Sequence, residues 1–201
     1  MDNYEISRDR AQAYFLGFDQ EQIIRAWDLP YDEDHLFVTF LGQNYRLHRK
    51  TGKIFRRADG SQAGFSEVMS ILDFLCHEGQ EKFPAGRYAP VNSLAGSPKA
   101  GGVAMGFHSQ TAQAFDRDPD ALKRACTKMG GTPVDMGDIG FAFPLFSDLR
   151  VIMKFYHSDE DFPASITLLW DENLLQYIYY ETVFYIAGFL LDRIKSLMAD
   201  T

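Results

Sequence analysis

The segment from Ala164 to Leu197 limits the fold more than any other part of the chain, because it is apolar almost throughout. Residues 164–170 form a mainly apolar run of strand length, and residues 174–191 are eighteen positions with one formal charge, Glu181. Eighteen apolar residues approach the length of a membrane-spanning helix. A glutamine, a threonine and four tyrosines interrupt this stretch, which favours a helix buried against a sheet.

We therefore predict an interior strand over 164–170 and a long helix over 174–197 that covers the sheet. Asp171 stands between them, where it is expected to cap the helix. Gly188 lies in the middle of the predicted helix. An isolated glycine there is expected to mark close approach to a neighbouring element.

Shorter patterns fill the rest of the chain. Alternation and turn residues predict a three-stranded meander over 35–58, with turns at 42–44 and 51–52. Helical spacing and β-rich runs predict helices at 3–17, 20–27, 66–78, 110–116 and 119–129, and strands at 139–146 and 149–157. Asp19, Ser66 and Asp118 are predicted to cap the second, third and fifth of these helices. The predicted fold class is α+β, a mostly antiparallel sheet packed against helices that include the long C-terminal one.

A length of 201 residues suits a single domain, 1–201. Within it we expect an N-terminal subregion, 1–80, and a C-terminal subregion, 110–201. A segment rich in Gly, Pro and Ala, 80–109, joins the two, and its run 101–107 is expected to include a short strand. Long segments of this kind usually serve a function.

Net charge bears on partners and location. A formal charge of −8 argues against a nucleic-acid partner, which needs a basic face. A basic run over 46–57 is predicted to place Arg46, His48 and Arg56 on one sheet face, either solvated or docking an anionic partner. The two cysteines are expected to be reduced and buried. The polar N-terminus lacks a signal sequence, so the prediction is a cytoplasmic protein with no membrane partner.

Several short sequences resemble one known family. Near the C-terminus these are Phe162-Pro163-Ala164, Ile166 to Asp171 and Tyr177 to Glu181; in the midsection they are Gly86-Arg87-Tyr88 and Gly130-Gly131. Together they resemble the family called domain of unknown function 3786, found mainly in anaerobic bacteria and archaea. Some members carry an added iron–sulfur module with clustered cysteines, which this chain lacks. The resemblance implies no activity, no cofactor and no catalytic residue.

Three residues are candidates for catalysis. His77 follows Cys76 and precedes Glu78, which could orient it as a base or share a metal, although a helix end explains it as well. His108 follows the glycine-rich run, where loops carry function, and it is equally explained as a structural histidine. Glu181 needs solvent, an arginine such as Arg87, or tyrosine hydroxyls, because a buried unpaired carboxylate is costly. No motif predicts a metal site.

The sequence leaves three functions open. The first is a small-ligand-binding or accessory module, whose aromatic-lined cleft holds an anionic or aromatic ligand. The predicted binding residues are Arg87, Tyr88, Lys99, Tyr177 and Tyr180. The second is a protein–protein interaction module that forms a homodimer, and the third is a hydrolase or transferase that uses a histidine and a carboxylate. Whether the protein is an enzyme stays open at this point.

Overall fold

A computed structural model describes residues 3–78, 83–98 and 108–199 of the chain. Its helices are α1 (Asn3–Leu16), α2 (Gln20–Trp27), α3 (Phe65–Cys76), α4 (Ser109–Asp116), α5 (Pro119–Lys128) and α6 (Tyr180–Ala199). Its strands are β1 (His35–Phe40), β2 (Gln43–His48), β3 (Ile54–Arg56), β4 (Tyr88–Pro90), β5 (Thr132–Pro133), β6 (Ile139–Pro144), β7 (Arg150–Tyr156) and β8 (Ser165–Asp171). The predicted run 101–107 lies outside the described residues.

Strands β1, β2 and β3 form the predicted antiparallel meander. The turn between β1 and β2 is tighter than predicted, because Leu41 and Gly42 alone connect them, with φ of 45° and 71°. A Cβ atom at Gly42 would lie 2.8 Å from the carbonyl oxygen of Met129. Glycine is therefore required there by both backbone conformation and space.

The second sheet has the order β4-β8-β7-β6-β5, and every neighbouring pair is antiparallel. Strand β8 lies between β4 and β7, which confirms the predicted interior strand. Its Trp170 is 2% exposed. Two antiparallel sheets packed with helices confirm the α+β class. Buried side chains from both sheets and the helices form one contiguous core.

The C-terminal helix begins later than predicted. Residues 174–176 form a single 3₁₀ turn, and α6 starts only at Tyr180. Asp171 does not cap α6: its carboxylate accepts hydrogen bonds from the backbone N–H groups of Ala85, Gly86 and Asn173. In the described part of the chain, no helix is long and apolar enough to cross a bilayer.

Helix α6 packs against α3, α4 and α5. The expectation that Gly188 marks a close approach is wrong, because no atom lies within 4 Å of a Cβ atom built there. Gly188 instead faces open space on the outer side of the helix.

Five aromatic rings stack in series through the core, and we call them the aromatic row. Ring centroids are 4.3 Å apart between Trp27 and Phe74, 4.1 Å between Phe74 and Phe146, and 4.7 Å between Phe146 and Phe40. The fifth ring, Phe189 of α6, lies 5.6 Å from Phe40. The aromatic row thus connects α2 on one side of the core with α6 on the other.

The cysteines are buried and form no disulfide, as predicted. Burial raises the pKa of Cys126 to about 12. Its thiol therefore stays neutral at physiological pH, and a neutral thiol is a poor nucleophile.

Candidate functional site

A cleft of about 850 Å³ opens between the first two helices and the C-terminal end of α3. We call it the helical cleft. Its described lining residues are Tyr14, Gly17, Phe18, Asp19, Gln22, Ile23, Ala26, Trp27, Leu75, His77 and Glu78. Its volume lies within the range of clefts that hold small molecules.

Asp19 fixes one wall of the helical cleft by capping α2. Its Oδ1 atom accepts hydrogen bonds from the backbone N–H groups of Glu21 and Gln22, as the sequence predicts. The cap sets where α2 begins, and thereby places Trp27 at its end. Trp27 also lines two neighbouring cavities of about 250 Å³ each, so its indole ring stands where three cavities meet.

His77 lies in the helical cleft and is backed by Asp73, one helical turn earlier. The Nδ1 atom of His77 is 3.6 Å from Oδ1 of Asp73, and the two side chains are 12% and 8% exposed. Oδ2 of Asp73 accepts the backbone N–H of Tyr179 at 2.9 Å. The Tyr179 ring packs edge-on against His77, with centroids 4.6 Å apart. The imidazole thus lies between the Asp73 carboxylate, which is beyond hydrogen-bond length, and the edge-on ring of Tyr179.

The sequence expectation paired His77 with Glu78, whereas the structure pairs it with Asp73. Consecutive residues diverge at a helix end, while residues four apart share a face. Glu78 lies instead near the Tyr14 hydroxyl. Desolvation, followed by the Glu78 and Tyr179 side chains, raises the pKa of Tyr14.

A small apolar pocket adjoins the helical cleft across Tyr14. Its volume is about 140 Å³, and its lining includes Met69, Leu72 and Cys76. Tyr14 lines both spaces. An apolar substituent on a molecule in the helical cleft would find room there.

Among the described residues of the helical cleft, the formal charges are negative. Its described lining includes the carboxylates of Asp19 and Glu78 but no lysine or arginine. Aromatic faces and carboxylates both attract cations. The surroundings therefore suit an ammonium group better than an anion.

The other two catalytic candidates lie elsewhere. His108 stands at the start of α4, a helix that packs on β8, and burial lowers its pKa. Glu181 is exposed in the first turn of α6, so solvent satisfies its carboxylate. Neither residue lines the helical cleft.

The predicted ligand-binding residues are distributed over several places. Arg87 is exposed and pairs with Glu172, at 2.6 Å. Tyr88 lies opposite Asp171 in the sheet, and burial followed by the Asp171 charge raises its pKa. The Tyr180 hydroxyl donates to the Asn92 side-chain oxygen. Lys99 lies outside the described residues.

Tyr177, the fifth predicted binding residue, is buried beside the aromatic row. Its ring stacks parallel to Phe74, with centroids 6.3 Å apart, and lies 5.9 Å from Trp27. Burial, followed by the charges of Asp171 and Asp148, raises the pKa of Tyr177 to about 12.

We expect Tyr177 to make the fold sensitive to alkali. A folded-state pKa above the ordinary value of about 10 gives stability that is complete below pH 10 and is lost as pH rises towards 12. The free energy of unfolding should fall there by up to about 1.4 kcal/mol per pH unit from this residue. Urea titrations at several alkaline pH values measure the slope. Tyr177→Phe should reduce it, and an unchanged slope would show that Tyr177 is not the cause.

A second polar cluster is centred on Glu67, which is 1% exposed. Its carboxylate accepts hydrogen bonds from Nε and Nη2 of Arg56, the Tyr45 hydroxyl and the Gly64 backbone. Gly64, rather than the predicted Ser66, precedes α3 and receives the Glu67 side chain as a cap. We call Glu67, Arg56, Tyr45 and the adjoining Gln43 and Arg193 the buried polar network.

The network corrects the predicted basic face. Tyr45 lies opposite Arg56 in the sheet register, and Arg46 lies opposite Phe55. Directly opposite residues share a face in an antiparallel pair. Arg56 therefore lies on the buried face with Tyr45, while Arg46 is on the exposed face. The basic run does not form a single patch.

Metal binding has no support in the part of the chain that the structure describes, where no three histidine, cysteine, aspartate or glutamate side chains lie close enough to hold an ion. The helical cleft offers hydrogen-bonding and aromatic groups instead.

Fold and cleft together define an α+β protein whose helices enclose an aromatic, acidic cavity. The chain belongs to the family described as domain of unknown function 3786, whose family model matches residues 19–193. The match includes Trp27, His77 and Arg193, and it confirms the resemblance noted from the sequence. No curated protein and no solved structure matches the chain.

Proposed function

We propose that this protein is a binding module that takes a small molecule with an aromatic ring and an ammonium group into the helical cleft. The observation that carries the proposal is the Trp27 indole beside a lining that contains carboxylates and no described cation. The sequence predicts an anionic or aromatic ligand, and the described charges of the cleft favour an aromatic ligand with a positive group.

Trp27, Glu78 and His77 would each contact a different part of the ligand. A cation over an indole face gains about 0.5–2 kcal/mol, depending on desolvation. Glu78 would add a charge-assisted hydrogen bond to the ammonium group. His77, which lies between Asp73 and Tyr179, would place a ring nitrogen against a polar group of the ligand. An oriented partner loses less entropy on binding than a mobile one.

A thermal-shift titration with matched probes tests the proposal. Tryptamine, tyramine and phenethylamine are expected to raise the melting temperature at millimolar concentration, because each combines a ring with an ammonium group. Indole-3-propionate and phenylpropionate have similar rings with a carboxylate, and any stabilisation by them should be unchanged in Trp27→Leu, because it would not come from the helical cleft. Stabilisation by the carboxylates that is lost in Trp27→Leu to the same extent as that by the amines would contradict the charge argument, and no stabilisation by any amine would contradict the proposal.

Variants locate the response. Glu78→Gln removes one carboxylate and should weaken the amines about tenfold, which corresponds to about 1.4 kcal/mol. Glu160→Gln changes an equally exposed carboxylate outside the cleft and should have no effect. Trp27→Leu should abolish the response, while Phe162→Leu, at an exposed ring in a turn, should leave it intact.

A hydrolase or transferase is a second candidate, favoured by the carboxylate behind His77. Such a pair is the arrangement that orients a general base. The described cleft lining includes no serine, threonine, cysteine or lysine. His77 would therefore act on water or on a substrate proton. Mass spectrometry after incubation with tyrosine methyl ester, which combines the ring and the ammonium group with a bond that water can cleave, separates the two functions, since a binding module returns the ester unchanged. A homodimer is a further proposal, tested by light scattering.

A further inference from the structure

A second cavity lies on the opposite side of the core, along the outer face of α6. Its volume is about 400 Å³, and we call it the α6 groove. Its described lining residues are Gln43, Arg56, Ser66, Phe184, Tyr185, Gly188, Phe189, Asp192, Arg193 and Ser196. It shares no described lining residue with the helical cleft.

Gly188 forms part of the groove wall, and no neighbouring element among the described residues requires a glycine there. A Cβ atom at this position would lie more than 4 Å from the described residues of other elements, so packing against them does not require glycine. After proline, glycine is the least favourable residue inside a helix. A side chain at this position would instead reduce the space in the groove. A ligand that occupies the groove would therefore explain why the residue at position 188 is glycine.

The inner end of the groove is cationic. Arg193 is half-buried, and its Nη1 donates to the Leu41 carbonyl oxygen at 3.0 Å. With the Gln43 amide oriented to satisfy all its partners, its oxygen lies 2.6 Å from Nη2 and 2.7 Å from Nε of Arg193. Both partners are neutral oxygens. The buried polar network thus contains two guanidinium groups, Arg56 and Arg193, and a single carboxylate, Glu67.

The carboxylate of Glu67 is already committed within this network. It accepts four hydrogen bonds, two of them from Arg56. Burial, opposed in part by Tyr45 and Glu67, lowers the pKa of Arg193. Asp192, the other acidic residue of the lining, is exposed on the rim. Arg193 therefore places a positive charge in the wall of the cavity, and its described hydrogen-bond acceptors are neutral oxygens.

Aromatic rings in fixed positions form the walls. Phe189 stacks on Phe40 as the last ring of the aromatic row. Tyr185 packs edge-on against Phe65, and Phe184 packs edge-on against Tyr180. Rings held by the core offer flat surfaces at low entropic cost.

We propose that the α6 groove binds a small organic carboxylate with a flat apolar ring. The carboxylate would take the place of the Gln43 amide oxygen on the Nε and Nη2 donors of Arg193, a planar fork that suits two carboxylate oxygens better than one neutral oxygen. The ring lies between the aromatic walls, over Gly188.

Arg193 also has a structural role that must be separated from this one. It holds the carbonyl of Leu41, a bulky residue in the left-handed region, where such residues are uncommon. Replacing Arg193 would disturb this turn together with the proposed site. The test therefore uses Gly188, which touches neither the turn nor the network.

NMR titrations with benzoate, phenylacetate and indole-3-acetate test the proposal, with the corresponding neutral amides as controls. The carboxylates are expected to shift the Arg193 Nε–H and Gly188 amide resonances, and to bind at least tenfold more tightly than the amides. Gly188→Leu should weaken binding at least tenfold. Gly188→Ala should raise the melting temperature by about 2–4 °C, which shows that the position tolerates a side chain.

Three results would overturn the proposal. The first is no shift at either resonance with any carboxylate at about 10 mM, a concentration that detects even weak binding of small molecules. The others are equal affinity for acids and amides, and unchanged affinity in Gly188→Leu. Shifts at Trp27 report on the helical cleft instead. The two sites can therefore fail or succeed independently.

Discussion

Replacing Glu67 with glutamine is expected to lower the free energy of unfolding by about 3 kcal/mol, near the lower end of the range for breaking a buried ion pair. The side chain keeps its size but loses the charge that balances Arg56. It also presents an NH₂ group where four donors converge. Arg56 is 30% exposed, so solvent offsets part of the loss. Urea unfolding monitored by circular dichroism measures the change.

Glu160→Gln, at an exposed position, supplies the control and should change stability by less than about 0.5 kcal/mol. A double-mutant cycle with Arg56→Gln isolates the pair, and a coupling above about 1.5 kcal/mol is expected. A loss in Glu67→Gln that merely equals the control would mean that the buried polar network does not stabilise the fold.

Asp171→Ala is expected to cost about 2–4 kcal/mol, because it removes the acceptor of three backbone N–H groups. The carboxylate is 1% exposed and accepts from Ala85 at 2.9 Å, Gly86 at 2.8 Å and Asn173 at 2.9 Å. Two of these donors come from a segment more than eighty residues earlier in the chain. The loss should therefore also loosen the strand β4 that follows them, which amide hydrogen exchange at Tyr88 and Ala89 would report.

Asp159→Ala is the matched control for Asp171. Asp159 also accepts two backbone N–H bonds, from Asp161 and Phe162, but in an exposed turn. Water can replace that acceptor, so a cost below about 1 kcal/mol is expected. Equal losses at the two aspartates would contradict the role of burial at Asp171.

Local signals in the sequence predicted most of the elements. Asp19 and Asp118 cap their helices as expected, and alternation located the meander. The start of α6 was missed, because the Asp171 carboxylate binds a distant segment and Asn173, and α6 begins only nine residues later at Tyr180. The face of Arg56 was missed as well, since it depends on sheet register, which a short basic run does not determine.

The two cavities combine residues that the sequence singled out with residues that it did not. The sequence named His77 as a candidate, and its neighbour Asp73 could have been found at the four-residue spacing of a helix face. Trp27 and Arg193 could not, because each becomes part of a cavity only through the packing of separate helices. Gly188 carried a signal, but the sequence alone could not distinguish close packing from an open groove.

The two tryptophans allow the most direct test of ligand binding in the helical cleft. Trp27 lines that cleft, whereas Trp170 is buried in strand β8. In a ¹⁵N–¹H spectrum the two indole N–H resonances can be followed separately during a tryptamine titration. We expect a saturable shift of the Trp27 indole N–H resonance, no shift of the Trp170 resonance, and a smaller shift at Trp27 in Glu78→Gln. A Trp27 resonance that stays in place at saturating amine, or that moves together with Trp170, would contradict ligand binding in the helical cleft.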